Sequence, residues 1–314
     1  VPSTPIRIHG VCPVVETPFT AEGHIDVAAF RGLVRSLADA GVQSVMYPGF
    51  ASEFYKLTDL ERDELTGALL DEAHRHGIVV VVSVPDHATV VATERARRAV
   101  EQGADMINIL PPHAQGPSGV AVRTHIRAVL DAIGSTPAIL QYAPAQTGTA
   151  LDASIIAELA AANPNLVQVK VESVPPGQLI SALREAAPAL SCVVGYAGVQ
   201  LIDALRRGAV GVQPGSSFPE IYLAIWRAWS RGDQEQAAAI HARLLPYISY
   251  WMQSVELIIA AEKEISARRG ILPTAICRAP ARELDAEEHE MITRFLAAFD
   301  DLLRPTPKAI SIQG

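Results

Sequence analysis

Eight short β-branched runs, each followed by a longer amphipathic stretch rich in alanine, set the strongest limit on how this chain can fold. They are Val11–Glu16, Val42–Pro48, Ile78–Val84, Asp105–Leu110, Pro137–Ala143, Leu166–Val171, Ser191–Gly195 and Ala209–Gln213. They recur roughly every 30 residues, the size of one strand–helix unit. Several are almost unbroken apolar runs, such as Ile78-Val79-Val80-Val81-Val82, which suits a parallel strand covered on both faces. Between them, helices start and stop on recognisable signals. Thr58 with Glu61 three residues on forms a capping box, and Gly41, Gly77, Gly103 and Gly208 stand where helices end before the next strand. Eight such units predict an α/β fold, a closed (β/α)8 barrel. An open doubly wound sheet is the weaker alternative, because no glycine-rich phosphate loop follows the first strand.

From Asp233 the strand signals stop. Asp233–Tyr250, Trp251–Arg269 and Asp285–Leu303 read as helices. The expected organisation is a barrel over residues 1–231, a C-terminal helical domain over 232–304 and a mobile tail over 305–314. A formal charge of -8 over 314 residues argues against a nucleic-acid surface. Cys12, Cys192 and Cys277 are odd in number and widely spaced, which predicts free thiols rather than a disulfide framework or a zinc site. Residues 1–10 lack the apolar run of a secretory signal, and no stretch is apolar and long enough to cross a bilayer. A cytoplasmic location is the expectation.

In such a barrel the chemistry sits at the carboxyl ends of the strands. The chain has four lysines, and Lys170 alone lies inside an apolar strand, the sixth. A buried amine loses its proton more readily, and a neutral amine can attack a carbonyl to form an imine. The competing reading is a strand-end lysine whose ammonium reaches solvent. Glu172, two residues on, shares its side if the strand continues. It is a candidate general base or iminium partner, or else a solvated acid. Tyr47, near the end of strand two, and His113, after strand four, are further candidates for moving protons that read as shape-determining rather than catalytic. His74 and His76, near a helix end, read as surface.

Several segments in order resemble the dihydrodipicolinate synthase / N-acetylneuraminate lyase superfamily. They are Thr17-Pro18-Phe19, Gly49-Phe50-Ala51-Ser52-Glu53, Leu57-Thr58 with Glu61-Arg62, Gly103-Ala104-Asp105 with Pro112, Pro144 with Thr147-Gly148, Val169-Lys170, Gly195, Gly208-Ala209 with Gly211, Arg269-Gly270 and Arg278-Ala279-Pro280. The resemblance spans nearly the whole chain. It implies a barrel with C-terminal helices, a homotetramer or dimer, and Schiff-base chemistry on pyruvate or another 2-oxo acid without a cofactor or metal. Lys170 takes the imine role by position, and Gly195 and Val212 would line the site beside it.

The departures matter as much. The family's paired hydroxyls after strand two are Phe50 and Ala51 here. Backbone N–H groups of Ala51 and Ser52, with the Ser52 hydroxyl, remain to hold a carboxylate next to Gly49. The family's proton-shuttling tyrosine position is Gln141, and Tyr142 follows one residue later. Tyr142 replaces the shuttle only if the strand end twists or bulges, since neighbouring strand residues face opposite sides; otherwise it packs in the core. Gln146 replaces the arginine that binds the second substrate in the lysine-pathway enzymes, so that activity is not expected. His113-Ala114 replaces the family's tyrosine pair. Phe50 suggests a substrate with an apolar portion.

The leading expectation is a class I lyase cleaving or forming a C–C bond. A hydro-lyase using the same imine is its nearest neighbour. A metal-dependent aldolase would need Glu16, Glu53 or Glu172 as ligands. A 2-oxo-acid-binding protein without turnover is the remaining class.

Overall fold

The computed structural model describes residues 5–112, 115–148 and 150–303. His113 and the tail 305–314 lie outside them. Eight parallel strands follow in chain order: β1 (Gly10–Val11), β2 (Ser44–Tyr47), β3 (Val79–Ser83), β4 (Met106–Ile109), β5 (Ala138–Tyr142), β6 (Leu166–Val171), β7 (Ser191–Val194) and β8 (Gly211–Val212). Each pairs with its neighbour, and β8 pairs with β1. The ring closes through Val14, which bridges in parallel to Met46 and to Gly215. The doubly wound alternative is thereby excluded. Strand positions match the apolar runs, and the glycines predicted to end helices all take positive φ: Gly41 at 88°, Gly77 at 69°, Gly103 at 98° and Gly208 at 101°. The capping box forms as expected, with Thr58 accepting from the Glu61 N–H and Glu61 reaching back to the Thr58 N–H.

Side chains sort into two apolar layers. The inner one fills the barrel with Cys12, Val14, Met46, Val81, Met106, Ile139, Val167 and Val193. The outer one lies between strands and helices and takes the alternate residues, including Tyr47, Val82, Ile109, Tyr142, Val169, Val171 and Val212. A register shift opposite Ala138 and Ile139 alters the β5–β6 pairing: Ala138 faces Leu166 but Ile139 faces Gln168, so Val167 is the extra residue. Beyond it Gln141 pairs with Lys170, and both turn inward.

After the last barrel helix, Pro219–Ser230, come helices Gln234–Trp251, Val255–Arg268, Ala286–Ala298 and Asp300–Leu303. The second of these starts four residues later than the apolar pattern suggested. Ser254 caps it by accepting from the Leu257 N–H at 3.1 Å, and Trp251 closes the helix before it.

Candidate active site

A pocket partly open to solvent lies at the carboxyl ends of the strands. The inward alternation on β6 places Lys170 and Glu172 in its wall. Lys170 is 4% exposed, and its Nζ stands 3.3 Å from Glu172 Oε1. The other carboxylate oxygen, Oε2, accepts from Gln141 Nε2 at 2.7 Å. Gln141 Oε1 in turn accepts from Asn108 Nδ2 at 2.9 Å, and Asn108 Nδ2 also donates to Ser83 Oγ at 2.8 Å. A polar chain thus crosses the barrel interior from β3 to β6 and fixes the carboxylate beside the amine. Gln141 belongs to this supporting layer rather than to the pocket wall.

Gly195 leaves the space that Glu172 fills. A Cβ there would stand 2.1 Å from Glu172 Oε1. Immediately after it, Tyr196 and Ala197 both adopt left-handed backbone, with φ of 52° and 48°. Two such non-glycine residues in succession are costly and persist only where neighbours hold them. Here Tyr222 OH donates to Ala197 O at 2.6 Å, and the His241 ring meets Gly198 O at 2.8 Å. The turn presents Tyr196 to the pocket, where its OH lies 2.5 Å from Gln146 Nε2. Its N–H donates to Glu172 Oε1 at 3.4 Å.

The loop after β2 supplies Phe50 and Ala51 to the pocket. Ser52 turns away from it, contrary to expectation. Its hydroxyl donates to Val15 O at 2.6 Å and accepts from the Gly49 N–H at 2.9 Å, and its own N–H donates to Gly49 O. Gly49 is a packing position: a Cβ would meet Val14 Cγ1 at 2.6 Å. Two further expectations are corrected by strand parity. Tyr142 lies on the outer face of β5, where its OH accepts from the Leu151 N–H at 3.3 Å; the strand end neither twists nor bulges enough to bring it in. Val212 likewise faces the outer layer, and the next residue, Gln213, lines the pocket. Tyr47 is fully buried in the outer layer against Phe30, with its OH 3.3 Å from Thr17 Oγ1.

The largest omission from the sequence reading is the C-terminal helical part. Val255, Ile258 and Glu262 form one face of helix Val255–Arg268 and cover the pocket together with Met252. Their i, i+3, i+7 spacing is legible in the sequence, and an acid on an otherwise apolar face is the signal that could have found Glu262. The carboxylates weighed as metal ligands are engaged otherwise. Glu53 is held by Lys263, by Lys56 at 3.0 Å and by the Arg278 N–H at 3.1 Å. Glu16 accepts from Ser266 Oγ at 2.8 Å. Among the described residues no three His, Cys, Asp or Glu side chains converge as a metal cluster. The thiols are unpaired, and burial pushes Cys12 and Cys277 up to about 11 and Cys192 to about 12.

A closed parallel barrel with reactive groups gathered at its strand ends is an enzyme architecture. This chain belongs to the dihydrodipicolinate synthetase family, whose model matches residues 7–299. It is a lyase, as members of that family act on carbon–carbon or carbon–oxygen bonds. It is 30% identical over 310 residues to the L-2-keto-3-deoxyarabonate dehydratase of Azospirillum brasilense, across 96% of this chain and 97% of that protein. It is 28% identical to the 4-hydroxy-tetrahydrodipicolinate synthase of Haloarcula marismortui, across 95% of each chain. YagE, a prophage protein of Escherichia coli K12 solved in complex with pyruvate, matches with a TM-score of 0.85 at 25% identity, covering 94% of this chain and 99% of that one. No helix among the described residues is long and apolar enough to cross a membrane.

Proposed function

We propose that Lys170 forms a Schiff base with C2 of a 2-oxo acid and that Glu172 moves the protons this chemistry needs. The observation that carries the reading is the Lys170–Glu172 pair, a nearly buried amine 3.3 Å from a carboxylate in one pocket. Glu172 takes a proton from the ammonium, and the free amine attacks the carbonyl. Glu172 returns that proton to the carbinolamine hydroxyl, which leaves as water and gives the iminium; the iminium draws electrons from C3. Glu172 then accepts a C3 proton. The Ala51 N–H, in the pocket wall, is a donor for the substrate carboxylate. Phe50, Val255 and Ile258 give the pocket an apolar side. This chemistry requires no cofactor. The enzyme acts on a small 2-oxo acid, assembles as a homo-oligomer, and with three unpaired thiols suits the cytoplasm.

Borohydride reduction in the presence of pyruvate is expected to add the mass of the reduced adduct at Lys170, read by peptide mass spectrometry. Lys170→Ala should abolish both adduct and turnover. Absence of an adduct with pyruvate and with a panel of 2-oxo acids would overturn the reading.

Two outcomes of the imine differ in the bond broken. A C–C lyase reaction is the first. A hydro-lyase reaction is the second, and the relationship to a 2-keto-3-deoxy acid dehydratase over nearly the whole chain favours keeping it. Product analysis with 2-keto-3-deoxyarabonate separates them: two carbon fragments in one case, loss of water in the other.

A further inference from the structure

The pocket that holds Lys170 is also lined by a carboxyl group with no role in imine formation, that of Glu262. Glu262 is 3% exposed yet lines the pocket. It comes from the C-terminal helix, and its carboxyl lies over the backbone of Gly215, where a Cβ would stand 1.8 Å from Oε2. Glu262 Oε2 accepts from Ser217 Oγ at 3.0 Å and from the Ser217 N–H at 3.4 Å. Its other neighbour is Glu16, at the end of the first barrel segment, with which it is in hydrogen-bonding contact. Glu16 is 1% exposed, and its Oε1 finds no donor if both acids are ionised. Two carboxylates in contact away from water repel, whereas one retained proton turns the repulsion into a hydrogen bond. Glu16 Oε2 is already taken by Ser266, which leaves Oε1 as the oxygen open to that bond.

The geometry points to Glu262 as a protonated carboxylic acid, hydrogen-bonded to Glu16, that donates its proton to an oxygen of the substrate bound on Lys170. Glu262 is the catalytic acid, and Glu16 is a positioning residue acting through it. Burial, then the charge of Glu16, raises Glu262 well above the usual carboxylate range; burial also raises Glu16. The other groups near the pair are Ser266, Lys263 and Glu53 beside Glu16, Tyr222 beside Glu262, and Lys170 and Glu172 in the same pocket wall. A second unsatisfied group marks the same space: Gln213, 2% exposed and in the pocket wall, leaves its Oε1 without a donor. A substrate hydroxyl would supply one.

The substrate class follows: a 2-oxo acid with a hydroxyl on C4. Once Glu172 has taken the C3 proton, the enamine electrons form the C3–C4 double bond as the C4–O bond breaks. The leaving oxygen takes the Glu262 proton and departs as water. Water then hydrolyses the iminium, which frees the 3,4-unsaturated 2-oxo acid and Lys170, while solvent returns a proton to Glu262 and removes one from Glu172.

The step rests on the Lys170 reading but is tested separately from it. In Glu262→Gln, the pyruvate adduct on Lys170 should form as in the wild type, which also verifies folding. Turnover of 2-keto-3-deoxyarabonate should fall by about 100-fold or more. In Glu16→Gln, the alkaline limb of the pH profile should move to lower pH with the plateau retained, because the charge that holds the proton on Glu262 is gone. Infrared spectroscopy of wild-type protein near neutral pH should show a protonated-carboxyl band that Glu262→Gln lacks. This band decides the point even if that sugar acid is not turned over. Absence of the band, or Glu262→Gln turnover within about threefold of wild type, overturns the proposal. A missing pyruvate adduct in the wild type defeats the Lys170 reading while leaving the shared proton to stand or fall on the infrared band.

Discussion

Gly195 shows how a residue without a side chain can carry chemistry. The Glu172 carboxylate occupies the volume that a Cβ would take, with Glu172 Cγ and Cδ at 2.5 and 2.6 Å from the added atom. Gly195→Ala should therefore push the carboxylate off Lys170 without disturbing the φ of -100° that any residue accepts. The expected result is a loss of roughly 100-fold in pyruvate C3 hydrogen–deuterium exchange, followed by NMR, with borohydride trapping at Lys170 slowed as well. At this scale the sequence reading was uneven. Lys170 and Glu172 were legible because their spacing of two survives in any extended strand. Val212 stands one residue away from the inward position, which is Gln213. Strand parity inverts on a one-residue slip, and aligning motifs across a loop does not fix that register.

Among the elements, the segments that carry the family resemblance do more fastening than chemistry. Phe19, of Thr17-Pro18-Phe19, lies beneath two cations, with Lys263 Nζ 4.3 Å and Arg278 Cζ 4.5 Å from its ring centroid. Thr17 Oγ1 donates to Ser52 O at 2.7 Å. Arg278 reaches Glu61 Oε1 at 2.6 Å and holds that carboxyl near 2. Glu53, itself in left-handed backbone with φ of 55°, joins Lys263 in a pair with no exposed surface. These contacts clamp the C-terminal helices onto the barrel mouth. Breaking one partner of such a pair strands a buried charge. Lys263→Met should destabilise by about 3–5 kcal/mol in urea unfolding, toward the lower end because Lys56 still reaches Glu53. The double variant Lys263→Met with Glu53→Gln should recover part of the loss, because the amide oxygen still accepts from the Arg278 N–H while the unpaired buried charge is gone. Helix starts were readable from capping residues, as Thr58 shows. The gap at Met252–Ser254 was not, because a continuous apolar pattern runs across it and Ser254 acts through its own hydroxyl.

Over the whole molecule, the buried Glu16–Glu262 pair links acid–base state to stability. In the unfolded chain each carboxyl ionises near its ordinary value of 4.5; in the folded chain burial holds the proton to higher pH. Below 4.5 both states keep these protons and the pair imposes no charge penalty. As the pH rises above that value, the unfolded chain releases protons that the folded chain retains. Stability contributed by the pair therefore falls, until the raised folded values are passed. Urea midpoints measured at about pH 5.5 and about pH 8.5 should drop more for wild type than for Glu262→Gln, whose amide does not titrate. Equal slopes would remove the pair from the pH response.

The chain's own pattern of eight apolar runs, helix-ending glycines and one lysine within a strand determined the barrel and its imine candidate. Those are local, periodic signals, and a closed ring of strand–helix units is how they bury their apolar faces together. The tertiary structure alone decided which residues share the pocket with Lys170. Glu172 is steadied by Gln141 and Asn108 from other strands, Tyr196 is delivered by a strained turn braced by Tyr222 and His241, and Glu262 arrives from a helix 92 positions later in the chain. Such convergence depends on ring closure and on how the C-terminal helices dock; local spacing marks the helix face that carries Glu262 but not the pocket it covers.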